Sequence, residues 1–152
     1  MSLEERVARL EAMLELMTLE AEYARAWDTG DADGWAGVFT HDGVFELVGS
    51  AGRPTRTYEG QAALREFCQT VNAEWTGLHL MHVPQLMVDG DVARGRVHFE
   101  WTSVARGHAA HTVQGRTYGY YDILYRRTGE GWRMARRVEH GVGRAQTVFD
   151  TV

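Results

Sequence analysis

A single cysteine, Cys68, excludes any disulfide framework within these 152 residues and makes a reducing compartment the expected setting. No apolar run approaches the roughly 18 residues that a membrane span needs. The opening MSLEERVARLE carries charge where a signal peptide has its apolar stretch, so a cytoplasmic protein is expected. Positive charge is not in excess: 16 basic against 21 acidic residues leave a net −5, which argues against nucleic acid or an anionic membrane as partner. Fixed-period repeats and low-complexity tracts are missing, and residues 1–152 read as one domain. There is no G-x-S-x-G for a nucleophilic serine, and Cys68 falls within a helical stretch. His108 and His111 form an H-x-x-H on a loop, with no cysteine or acid at ligand spacing, so neither a metal nor another cofactor is expected.

What is present is a core: 44% hydrophobic residues and five tryptophans. Leu3, Val7, Leu10, Met13, Leu14 and Met17 recur at three- and four-residue steps, continuing through Ala21, Ala24 and Trp27. This period predicts one helix of about seven turns, with that stripe on the core and Glu4, Glu5, Arg9, Glu11 and Glu20 in water. DTGDADG then makes a polar turn, where Gly30 can take positive φ and Asp31 or Asp33 can cap a short helix over Asp33 to Phe39. HDGVFELVG alternates as a strand, and Gly60 opens a third helix with Ala63, Leu64, Phe67 and Val71 on its buried face. From Gly77 onward the chain reads as four long strands joined by hairpins, with turns at Asp89-Gly90 and at TGEG. Val97, Phe99, Trp101 and Ser103 share one face, while Arg96, His98, Glu100 and Thr102 share the other. The order predicts an α+β fold: three N-terminal helices packed on a strongly curved, mainly antiparallel sheet that encloses a cavity.

Tyr23, Trp27 and Asp28 gather at the end of the first helix. The helix C-terminus carries partial negative charge, so a carboxylate there needs a compensating donor from elsewhere in the chain.

The opening LEAMLELMTLEAEYARAWDTGDADGWAGVFTHDGVFEL resembles SnoaL-like domains of the NTF2-like (cystatin-like) superfamily. GQAALREF, GLHLMHVPQLMVDGD and YRRTGEGWRMARRVEH extend the resemblance over nearly the whole chain. Scytalone dehydratase, hexachlorocyclohexane dehydrochlorinase and the bacterial bile-acid dehydratases share a finer pattern. Each pairs an acid at the end of the first helix with a histidine on the strand after the third helix. The resemblance places these roles on Asp28 and His82. Tyr23 stands five residues before the acid, as in the bile-acid dehydratases, and Ser103 falls near the second pocket histidine of scytalone dehydratase. It further implies a homo-oligomer, trimer or dimer, formed through the exposed sheet face.

In such a dyad the carboxylate fixes the imidazole tautomer and the free ring nitrogen abstracts a carbon-bound proton. Asp28 and His82 are the expected catalytic pair, with the Tyr23 hydroxyl donating to the leaving group. Trp27, Phe45, Leu47, Phe99 and Trp101, with Tyr118 or Tyr120, are expected as walls around a flat hydrophobic ring. Ser103 and Arg116 join them as binding residues, and Arg137 and His140 are within reach of the same space. His79, three residues from His82, is expected outside the pocket. The reading is a cofactor-independent lyase acting on a cyclic small molecule. A polyketide cyclase or ketosteroid-type isomerase, or a non-catalytic binding or assembly module, is the alternative. A shared cavity at the dyad favours the enzyme; a cavity filled by tryptophan favours the module.

Overall fold

The computed structural model describes residues 1–50, 52–107 and 111–150. Helix α1 (Leu3–Asp28) starts where Ser2 and Glu5 cap each other reciprocally, each side chain accepting the other's backbone N–H. It ends where Gly30 takes φ 71°, which lets the Asp31 N–H reach back to the Ala26 carbonyl. Asp31 then caps the short α2 (Ala32–Gly37) through the Gly34 N–H at 2.9 Å. Strands β1 (Phe39–Leu47) and β2 (Arg56–Glu59) separate these helices from α3 (Gly60–Glu74), so the helices are not one N-terminal block.

Five strands complete the chain: β3 (Trp75–Met81), β4 (Gln85–Asp89), β5 (Val92–Ala105), β6 (His111–Thr128) and β7 (Gly131–Asp150). The stretch expected as one strand before Asp89 is two, interrupted at 82–84, where Pro84 has no N–H to give a ladder. The sheet runs β2-β1-β7-β6-β5-β3, with β4 also pairing on β5, and it does not close. All pairings are antiparallel except β1 with β7. On β5 the odd positions Val97, Phe99 and Ser103 are buried. The register Val97↔Tyr121 and Phe99↔Gly119 therefore turns the odd positions of β6 inward as well.

Two expectations about α1 are reversed. Its buried positions are Ala12, Leu16, Glu20, Tyr23, Ala26 and Trp27. Of the stripe assigned to the core, Trp27 is buried and Met13 and Ala24 are half-buried, but Leu3, Val7, Leu10, Leu14, Met17 and Ala21 are exposed. At 100° per residue the two sets lie on nearly opposite sides of the helix, so periodicity alone could not tell which one the sheet covers. Glu20, expected in water, is buried because Arg137 is too: Arg137 Nη1 donates to its two oxygens at 2.8 and 2.9 Å. The Tyr125 hydroxyl adds a third bond at 2.6 Å, and the Arg137 guanidinium lies 3.8 Å from the ring centres of both Tyr23 and Tyr121.

Candidate active site

Asp28 finds its donor, and it is His79. The Nδ1 of His79 lies 2.7 Å from Asp28 Oδ1, and the His79 backbone N–H donates to Oδ2 at 2.8 Å. One carboxylate thus holds both the strand and the ring of the same residue. Strand parity explains the assignment. His79 pairs with Trp101 and Met81 with Phe99, so the odd residues of β3 share the inner face of β5.

His82 lies past the end of β3, where its N–H bonds the His98 carbonyl and its ring sits 6.2 Å from the His98 ring. With Glu100, Arg116 and Tyr118 it lines a shallow depression on the other side of the sheet. The expected Asp28–His82 pair is therefore replaced by Asp28–His79, and the histidine expected outside the pocket is the one inside it.

His79 lines a cavity of about 860 Å³ that is partly open to solvent. Tyr23, Trp27, Phe45, Leu47, Phe99 and Trp101 form walls of this cavity, as their positions predict. The tryptophans border the space without filling it. The indole N–H groups of Trp27 and Trp101 have no partner among the described residues. The His79 imidazole is nearly enclosed by the rings of Tyr23, Trp27, Phe99 and Trp101, all with centres 6.0 to 6.3 Å away. Burial pushes its pKa below the ordinary histidine value, outweighing the opposite pull of Asp28. The ring is thus neutral near pH 7. With Nδ1–H donated to Asp28, Nε2 is left as a free base.

Four expected binding residues lie elsewhere. Tyr118 and Tyr120 pair with Glu100 and His98, on the outer face of β5, because even positions of β6 point away from the helices. Tyr120 stacks on His140, and Arg96 sits 4.5 Å above its ring. Arg116 is also outside, its Nε and Nη2 donating to the two carboxylate oxygens of Glu100. Ser103 is on the inner face but buried in packing, its hydroxyl bonding the Gly115 carbonyl. Arg137 belongs to the core pair with Glu20, and His140 approaches Asp122 on the outer face. His108 lies outside the described residues, and of His111 only the backbone at the start of β6 is described. Cys68 is buried, and its thiol is pushed up to about 12 by desolvation, which makes it inert.

The sequence reading missed Tyr121, Glu139 and Arg144. Tyr121 and Glu139 are cross-strand partners on the inner face, and both line the cavity with His79. Burial raises the Glu139 carboxyl to about 7, against the opposing pull of Arg137 and the Tyr121 hydroxyl. A β-bulge then changes the parity of β7. Gly119 pairs Gly141 but Tyr118 pairs Gly143, leaving Val142 as the extra residue. Arg144, an even position, consequently pairs inward-facing Thr117 and joins Arg53 and Arg56 in lining the cavity. The legible signal for Tyr121 was parity carried across from Val97; the signal for the bulge was Gly141 and Gly143 inside a strand pattern.

The model of the SnoaL-like domain matches residues 8–138. No curated protein matches the chain. Among solved structures, Rv3472, a protein of unknown function from Mycobacterium tuberculosis, is 29% identical, with 93% of this chain and 76% of that one covered and a TM-score of 0.73. An NTF2-like protein with a cystatin-like fold from Novosphingobium aromaticivorans is 26% identical, covering 92% and 88%, with a TM-score of 0.67. A hexachlorocyclohexane dehydrochlorinase, LinA type 2, shares the fold at 15% identity, 96% and 93% coverage and a TM-score of 0.71.

Proposed function

The chain belongs to the SnoaL-like domain family, and on that premise we propose a lyase that eliminates water or halide from a cyclic small molecule. One observation carries the reading: the 2.7 Å bond from His79 Nδ1 to Asp28, which leaves Nε2 as the only free ring nitrogen beside an aromatic-walled cavity. Asp28 fixes the tautomer and offsets the positive charge that develops when Nε2 takes a carbon-bound proton. The released electron pair forms the new C=C bond as the C–O or C–halogen bond breaks. For a hydroxyl leaving group a proton must arrive at the oxygen. Glu139 is the donor, since its carboxyl near pH 7 exists substantially in the acid form. The Tyr23 and Tyr121 hydroxyls, raised by burial, stay protonated and serve as hydrogen-bond donors.

The cavity also describes its substrate. Aromatic walls fit a flat ring. Arg53, Arg56 and Arg144, none of them in an ion pair among the described residues, suit an anionic group on the part of the substrate that meets them. A ketosteroid-type isomerisation is the second reading, because Glu139 could return to another carbon the kind of proton His79 removes. Release of water or halide separates the two.

The test is a screen of hydroxylated and halogenated ring compounds bearing a carboxylate, run with wild type, Asp28→Asn and His79→Ala. Turnover by wild type that is lost in both variants with the fold unchanged is the expected result. Full-rate turnover in both would discard the dyad.

A further inference from the structure

The exposed stripe on α1 has a spacing that core packing did not require. Leu3, Val7, Leu10, Leu14 and Met17 follow one another by 4, 3, 4 and 3 residues, and Ala21 and Ala24 continue the series. This is the a/d repeat of a two-stranded coiled coil, with Val7, Leu14 and Ala21 at a and Leu3, Leu10, Met17 and Ala24 at d. All five large residues are open to solvent, Leu3 at 73%, Leu14 at 64% and Leu10 at 59%. The Ser2–Glu5 capping box starts the helix one residue before the seam, so the whole stripe is presented on formed helix.

We propose that a second copy of this chain covers the stripe, the two α1 helices pairing in parallel. Charge chooses this partner and this direction. Arg6 occupies a g position and Glu11 the e position five residues later, which meet across a parallel pair, twice by symmetry. In an antiparallel pair the e positions face each other, and Glu4 and Glu11 would set acid against acid. The helix is also placed for it. Over the first two heptads its buried positions, Ala12 at f and Leu16 at c, face away from the seam, while buried Glu20 and Trp27 at g confine the pairing to Leu3–Met17. A seam this short is weak alone, so the association depends on concentration.

Cross-linking and sedimentation test this directly. Leu10→Cys puts a thiol at a d position, whereas Glu15→Cys puts one at a neighbouring b position off the seam; buried Cys68 contributes to neither. Mild oxidation is expected to give a disulfide-linked dimer of Leu10→Cys and little of Glu15→Cys. A Leu10→Glu, Leu14→Glu double variant is expected to keep its circular dichroism and Tm, since both positions are exposed, while its dimer dissociation constant rises at least about 100-fold. Equal cross-linking at the two positions, or an assembly unchanged in the double variant, overturns the proposal and gives the stripe to another occupant.

Discussion

Two charged clusters lie a few residues apart beneath the same sheet, and they have been treated differently. Glu20 and Arg137 are both buried, and the carboxylate accepts bonds from Arg137 and Tyr125 while two tyrosine rings sandwich the guanidinium. This cluster is shut away from the cavity: Glu20 is satisfied, Arg137 Nε and Nη2 have no hydrogen-bond partner among the described residues, and neither charged residue lines the cavity. His79 and Glu139 are held from one side only and face an open void from the other, and both have shifted pKa values. A buried ion pair shut away from the cavity holds a fold in one arrangement; a buried titratable group with one free side can exchange protons with a visitor.

Breaking each cluster should therefore have different consequences. The largest effect is expected for His79→Ala, which should lower turnover about 10²–10⁴-fold, the usual contribution of a general base, with little loss of stability. Steady-state rates beside thermal melts read both. Arg137→Met should do the reverse of a clean active-site lesion, destabilising the protein by about 3–5 kcal/mol because Glu20 is left buried without its counter-charge. Urea denaturation measures it, and a loss within experimental scatter of zero contradicts the structural role.

Glu139 sharpens the contrast through pH. Its carboxyl is raised in the fold, so the neutral acid is what the folded state prefers. That preference favours stability at low pH and is lost as pH rises from the ordinary carboxyl range through about 7. Glu139→Gln should consequently be more stable than wild type at pH 8, by up to about 3 kcal/mol, and show no such gain at pH 4. Dehydration should fall on the alkaline side as Glu139 ionises and on the acid side only below the ordinary histidine range, because the pKa of His79 is depressed. The smallest effect belongs to His82→Ala, outside the cavity: an unchanged rate and a stability change within about 0.5 kcal/mol.

Much of this was legible in the chain. Gly30 and Asp31 wrote the turn that brings Asp28 to the cavity, and the alternation of Val97, Phe99 and Trp101 named the inner face of β5. Trp27, Phe45 and Leu47 were found by the same reasoning. The resemblance selects His82, and parity counted from it sets His79 on the wrong face. Pro84 ends the pairing before His82, and carrying the odd face of β5 across to β3 selects His79. Tyr118 and Tyr120 were one residue off for the same reason, since parity carried across from Val97 selects Tyr121. Arg144 was missed because a one-residue bulge at Val142 resets the alternation, and the flanking Gly141 and Gly143 mark a break in the strand without fixing which way it then faces. The two faces of α1 were indistinguishable by pattern: both are apolar, and only the buried Glu20–Arg137 pair reveals which one the sheet covers.

Nitrogen-15 NMR of the histidine rings across pH tests the central pairing most directly. The account predicts His79 as the neutral tautomer protonated on Nδ1, titrating below its ordinary value, and lower still in Asp28→Asn, where the carboxylate that favours its charged form is gone. A His79 ring protonated on Nε2, or one whose titration ignores the Asp28 substitution, would contradict it.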